Sequence, residues 1–146
     1  MIAQTIQLAL APVFVLVAIG IILNILSSRL GRIVDRSRKL QALHEETVGR
    51  KHDMVVWEIR LVDRRMVFIT HAIRLLVISG LTIGATVGIL FIDSLLPTDL
   101  EVVVIATFVA SVALLMISLV LFLRETLVAA EALRIPRDYL ELDRDI

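Results

Sequence analysis

The sequence predicts an all-α integral membrane protein with three transmembrane helices, which form a single membrane domain over residues 1–146. Its composition is 58% hydrophobic and its mean hydropathy is +0.92, well outside the range of soluble domains. Three apolar runs approach or exceed the roughly 20 residues that a spanning helix needs, at about residues 8–27, 67–92 and 102–123. Charge is segregated, because eleven of the fifteen Lys and Arg residues lie between Arg29 and Arg74.

The first apolar run, residues 8–27, predicts the first span. Pro12 lies near its outer end, where a missing backbone donor bends a helix without ending it. Asn24 is its only strongly polar interior residue. Met1 to Leu10 lacks the basic segment of a secretory signal, so we expect this run to be retained.

Residues 29–65 predict an antiparallel helical hairpin that extends helices one and two beyond the membrane. Apolar residues recur there every three or four positions on both sides of Gly49, which supplies the turn. The basic residues place this hairpin in the cytoplasm, with the amino terminus outside and the carboxyl terminus inside. The expected ion pairs between the two arms join Asp63 to Arg36 or Arg32, and Asp35 to Arg64 or Arg65.

The second span contains Leu75–Ile92, a stretch without a formal charge that carries glycine at every fourth position. Helical spacing aligns Gly80, Gly84 and Gly88 in one column, which predicts close packing against a neighbouring helix. Hydroxyl residues lie nearly opposite this column, on a face that we expect one protomer to be unable to bury. His71 and Arg74 precede the uncharged stretch, either snorkelling to the interface or facing the bundle.

The third span, residues 102–123, follows a short outer connection. Thr98 to Glu101 has the form of a capping box directly after Pro97, which predicts the helix start. Residues 124–146 then predict a cytoplasmic helix and tail, with the helix ending at Pro136. Hydroxyls on this span, together with those of the second span and Asn24, are candidates for a polar path: Asn24, Ser79, Thr82, Thr86, Thr107 and Ser111.

Other polar clusters have simpler interpretations. The arginines after the first span help to set the membrane topology and attract anionic lipid. Together with Trp57, four of them are also candidates for a lipid or partner contact: Arg29, Arg32, Arg36 and Arg38. His44 and His52 at the hairpin tip are weak candidates for metal ligands, because their spacing fits no rigid motif. We find no catalytic residues and expect neither a cofactor nor a nucleic-acid partner.

Several segments resemble a known family. These are Ser28 to Arg36, Asp63-Arg64-Arg65 leading into the second span, and Arg124-Glu125 leading to Ala130 and Leu133. In these segments the chain resembles the family called domain of unknown function 2721, whose members are small bacterial membrane proteins. The resemblance implies a bacterial inner-membrane protein with three spans, and it implies no activity.

Two functional hypotheses follow from the sequence. The first is a non-enzymatic homo-oligomer that conducts ions, motivated by the second polar face of helix two. The alternative is a membrane-anchored scaffold or regulatory protein whose cytoplasmic hairpin binds a partner or anionic lipid.

Overall fold

The computed structural model describes residues 2–96 and 99–132, which contain three α-helices. Helix α1 covers Ile2–Glu46, α2 covers Arg50–Leu95 and α3 covers Glu101–Ala132. All three helices are long and apolar enough to cross a membrane. The predicted all-α class and its three membrane-spanning helices are therefore confirmed, and the protein is a membrane protein in contact with lipid.

A seven-residue repeat of apolar side chains joins α1 to α2. Such a repeat keeps one stripe of each helix against its partner, as in a left-handed coiled coil. Helix α1 continues through Pro12, so this residue does not end the helix. The buried residues of the contact are Ile19, Leu26, Ile33 and Leu40 on α1 and Val62, Ile69, Leu76 and Ile83 on α2.

A second stripe, made of small and polar residues, joins α2 to α3. Ala72, Ser79 and Thr86 on α2 are buried, as are Ser111 and Ser118 on α3. Small side chains let two helices approach closely in a membrane, where their hydroxyls can bond across the contact. Helix α2 thus packs against both neighbours, whereas α1 and α3 hardly touch each other.

The connection between α1 and α2 is a tight turn at residues 47–49. Gly49 has a backbone φ of +69°, a conformation that residues with a side chain rarely adopt. The hydroxyl of Thr47 donates to the carbonyl oxygen of Leu43 over 2.8 Å, which satisfies one acceptor at the end of α1. The turn sends α2 back along α1.

At the other end of the bundle, Asp93 orders the start of α3. Its Oδ1 accepts a hydrogen bond from the backbone N–H of Leu100 over 2.9 Å. The hydroxyls of Thr5 and Ser94 lie 2.9 Å apart and join α1 to α2 at this end. The predicted capping box depends on Pro97 and Thr98, which lie outside the described residues, as do Pro136 and the tail.

Candidate functional site

The carboxylate of Glu125 on α3 is fully buried and meets an arginine from each of the other two helices. Arg65 on α2 donates to Oε1 of Glu125 from Nε over 3.0 Å and approaches it from Nη2 at 2.9 Å. Nη2 of Arg29 on α1 lies 3.1 Å from Oε2. We call Arg29, Arg65 and Glu125 the charged triad. It links α3 to α1 in a bundle where those helices otherwise barely meet.

The two arginines of the triad hold Glu125 differently. A carboxylate removed from water needs both counter-charge and directed hydrogen bonds. Arg65 supplies both to Oε1, whereas Oε2 has no well-directed hydrogen bond among the described residues and is close only to the Arg29 guanidinium. The guanidinium of Arg29 also lies 5.0 Å from the centre of the Phe122 ring, a cation–π contact. Arg65 is therefore the principal partner of Glu125.

The charged triad was not predicted from the sequence, although the seven-residue repeats contain a signal for it. Glu125 is seven residues after Ser118, so it continues the buried polar stripe of α3. Arg65 is seven residues before Ala72 and continues the matching stripe of α2. Opposite charges that extend two facing stripes at the same end predict an ion pair between the helices.

The ion pairs expected between α1 and α2 are wrong. Nε of Arg36 donates instead to Oε1 of Glu58 over 2.7 Å. Asp35 and Asp63 are exposed, and neither forms an ion pair with a described residue. The buried apolar seam between α1 and α2 turns both aspartates to the outside, while the long Arg36 side chain reaches one turn towards the tip.

A cleft of about 640 Å³ opens beside the triad, and we call it the arginine cleft. Its four arginines face two carboxylates, Glu58 in its wall and Glu125 bound to two of the arginines, which leaves a formal excess of two positive charges. Arg32 is exposed and is the one arginine of the cleft without an ion pair to a described residue. The lining residues are Arg29, Arg32, Arg36, Glu58, Leu61, Val62, Arg65 and Ala129.

The cleft contains three of the five residues proposed for a lipid or partner contact. Arg29, Arg32 and Arg36 follow one another at three- and four-residue spacing, which places them on one face of α1. Arg38 and Trp57 are exposed and lie outside the lining. Of the four arginines proposed for this contact, three therefore line the cleft and Arg38 does not.

The hydroxyl face of α2 packs against α3 within one protomer. The hydroxyl of Ser79 donates to the backbone oxygen of Ser111 over 2.8 Å, and the hydroxyl of Ser111 donates to the backbone oxygen of Ser79 over 3.1 Å. The hydroxyls of Thr86 and Thr107 lie 3.0 Å apart. The expectation that one protomer cannot bury this face is therefore wrong, because α3 covers it.

The other two residues of the proposed polar path lie elsewhere. Asn24 is exposed on α1, and the hydroxyl of Thr82 donates to the carbonyl oxygen of Ile78 in its own helix over 2.8 Å. Hydroxyls in membrane helices commonly bond back in this way. The structure thus brings four of the six residues together as an interhelical contact, and Asn24 and Thr82 take no part in it.

The glycine column faces α1 at only one position. A methyl group added at Gly80 would lie 3.6 Å from Cγ2 of Ile19, an ordinary van der Waals distance. A methyl group at Gly84 or Gly88 would meet nothing within 4 Å. Close packing through the last two glycines has no partner inside the protomer, and packing between protomers stays a prediction.

His71 and Arg74 are both exposed and lie outside the core of the bundle. Nδ1 of His71 is 2.8 Å from the carbonyl oxygen of Val67, one turn earlier in the same helix. Neither residue is among the buried groups that join α2 to its neighbours.

His44 and His52 meet at the turn between α1 and α2. Their ring centroids are 4.4 Å apart, with the planes tilted by 53°. The described residues contain no group of three or more potential metal ligands. The two histidines form a ring contact that helps to close the turn.

Comparison with known proteins gives a family and no activity. A family model described as a protein of unknown function, DUF2721, matches residues 9–135. No curated protein and no solved structure matches the chain. The segments on which the family resemblance was based contain all three members of the charged triad.

Proposed function

Because the chain belongs to the family of unknown function DUF2721, we propose a function from the geometry of this chain. The protein is a non-enzymatic, membrane-anchored interaction protein of the bacterial inner membrane. Its three helices anchor it, and the distal halves of α1 and α2 form a cytoplasmic hairpin that binds anionic lipid. This is the second of the two hypotheses drawn from the sequence.

The distribution of charge supports this orientation. Lys and Arg are concentrated in residues 29–74, whereas residues 93–101 at the opposite end contain acidic residues and no basic one. Basic loops are retained in the cytoplasm, which places the amino terminus outside and the carboxyl terminus inside. The base of the hairpin, where Arg29 follows the apolar run, then lies at the anionic inner leaflet.

The arginine cleft is the single observation that carries the proposal. Arg29 follows the apolar run of α1 almost directly, so the cleft begins where lipid headgroups lie. Each basic residue near an anionic surface contributes about 1 kcal/mol of attraction. The cleft combines this position with an excess of two positive charges.

Reconstitution in nanodiscs tests this function. We expect the full-length protein to have a higher midpoint of thermal unfolding in nanodiscs with phosphatidylglycerol than in neutral phosphatidylcholine. Arg32→Gln should reduce the difference. Arg38→Gln should change it little, because Arg38 lies about 15 Å along the helix from Ser28, beyond the screening length of roughly 8 Å at 0.15 M salt. Midpoints that are equal in neutral nanodiscs and in nanodiscs with either anionic lipid, phosphatidylglycerol or phosphatidic acid, would refute the proposal.

We also propose that the protein is a homo-oligomer that uses the open glycine face. Gly84 and Gly88 have free space where a helix of a second copy can approach. Gly84→Leu should therefore convert the oligomer to smaller species in light scattering of detergent-solubilised protein. Ile78→Ala, at an exposed position about 120° around the helix from Gly84, is the control. An unchanged mass for Gly84→Leu would show that this face is not an interface.

A further inference from the structure

The four arginines of the cleft differ in how many of their N–H groups remain available to bind a ligand. Arg65 uses Nε and Nη2 on Glu125, and Arg29 uses Nη2, so both retain other N–H groups. Arg36 is bound to Glu58, but half of its side chain and a third of that of Glu58 are exposed. An exposed pair of this kind stabilises by at most about 1 kcal/mol, so an anion can replace Glu58. Arg32 is free of ion pairs with the described residues and exposed.

The charge of the cleft indicates the charge of its ligand. Four arginines and two carboxylates leave an excess of two, so a group with two negative charges neutralises the cleft. A phosphodiester or a carboxylate carries one negative charge and leaves the cleft positive. A phosphate monoester carries about −1.5 to −2 at pH 7 and offers three acceptor oxygens. Its geometry also suits the planar fork of a guanidinium.

The dimensions fit such a ligand. Arg29, Arg32 and Arg36 extend over about 10 Å along the axis of α1, and the cleft of about 640 Å³ is of a size that holds a small molecule. A phosphate group with an attached glycerol or sugar therefore has both room and donors.

We propose that the arginine cleft is a binding site for a phosphate monoester. Its main contact is Arg32, the one arginine of the cleft without an ion pair to a described residue. The proposal rests on the proposed function, since it specifies which anion the cleft selects. The monoester can belong to a lipid headgroup or to a soluble metabolite, and both sources present the same terminal phosphate to the arginines.

The test compares ligands whose phosphate differs in charge, at pH 8, which is above the second pKa of about 6 of a phosphate monoester. Full-length protein is placed in phosphatidylcholine nanodiscs that contain either phosphatidic acid, a monoester, or phosphatidylglycerol, a diester, with the same acyl chains. A third sample has neutral nanodiscs with glycerol 3-phosphate in solution, and a fourth has inorganic phosphate. Binding is measured by the ligand concentration that half-saturates the shift in the unfolding midpoint.

We expect at least one monoester to bind about ten-fold more tightly than phosphatidylglycerol. Binding of phosphatidic acid alone assigns a lipid source, and binding of glycerol 3-phosphate in neutral nanodiscs assigns a soluble one. Binding of inorganic phosphate alone would overturn the assignment of a monoester. Arg32→Gln should remove this preference. Arg64→Gln, an equal change of charge at the exposed neighbour of Arg65, should retain it. The midpoints of both variants in neutral nanodiscs show that they fold.

Two further results would overturn the site in different ways. If phosphatidic acid and phosphatidylglycerol bind equally and soluble monoesters do not bind, the cleft responds to charge alone, and the proposed function stands without the monoester site. The same conclusion follows if Arg32→Gln and Arg64→Gln have equal effects. If no anionic ligand shifts the midpoint relative to neutral nanodiscs, both proposals fail.

Discussion

Glu125 fixes the position of α3 relative to both other helices. Its carboxylate is fully buried, and its partners Arg29 and Arg65 are about one quarter exposed. Water therefore hydrates the arginines in part but does not reach the glutamate. Such an arrangement makes the glutamate more sensitive to the loss of a partner than the arginines are.

We expect Glu125→Gln to lower the stability of the protein by about 2 kcal/mol, because the two arginines lose their counter-charge while the shape of the side chain is retained. The measurement is the thermal unfolding midpoint in detergent or nanodiscs. Arg124→Gln, at an exposed neighbouring position, controls for loss of a charge. A midpoint for Glu125→Gln equal to that of Arg124→Gln would contradict this role.

The residue scale is also where prediction from the sequence was least successful. The hairpin arginines were identified as a group, but their partners were not, since Arg36 pairs with Glu58 and Arg65 with Glu125. Salt-bridge partners depend on the rotation of each helix about its own axis. That rotation is set by the contacts between helices, and the repeats indicate the Arg65–Glu125 pair only once the Ser79 and Ser111 stripes are known to face each other.

At the scale of helices, α2 and α3 are joined by reciprocal hydroxyl bonds. Ser79 and Ser111 each donate to the other's backbone oxygen, so both hydroxyl protons are satisfied without water. The hydroxyl of Ser118 extends the contact with a 2.8 Å bond to the carbonyl oxygen of Ala72. The polar stripe of α2 therefore holds this helix against α3 through hydrogen bonds.

A double-mutant cycle measures this contact. Hydrogen bonds between membrane helices contribute about 0.6 kcal/mol on average, so Ser79→Ala and Ser111→Ala should each cost about that amount and should be coupled. Thr82→Ala paired with Ser111→Ala is the control, because Thr82 bonds only within its own helix. No loss of stability from either single serine substitution in reversible unfolding would show that the bonds contribute nothing, and additive losses would show that the two bonds act independently.

The existence and type of the helices were well predicted, because long apolar runs have few alternatives in a membrane. The hydroxyl face and its angular position were recognised too. Its partner was not, since the glycines of α2 appeared to offer the obvious packing surface. In the structure the hydroxyls pack inside the protomer, while Gly84 and Gly88 face open space.

At the scale of the whole molecule, the two ends of the bundle differ in charge and in structure. The half that ends at the Gly49 turn also contains the triad and the arginine cleft. The other contains Asp93 and Asp99, which together with Glu101 line a second cavity of about 470 Å³. The proposed orientation places the basic end in the cytoplasm and the acidic end outside.

Cysteine labelling tests this orientation directly, because the native chain contains no cysteine. Val48 and Leu95 are 88% and 80% exposed and lie at opposite ends of the bundle. A membrane-impermeant maleimide should label Leu95→Cys in intact spheroplasts and should label Val48→Cys only after the membrane is opened. Labelling of Val48→Cys in intact spheroplasts would reverse the topology.

The charged triad also has a consequence for the order in which the protein is made. Arg29 and Arg65 belong to the first two helices synthesised, and their shared counter-ion belongs to the third. Until α3 is synthesised, both guanidinium groups lack the carboxylate that lies between them in the complete bundle. Synthesis of α3 therefore supplies the one carboxylate that the two arginines share, so that a nascent chain interrupted before Glu125 differs electrostatically from the full-length chain.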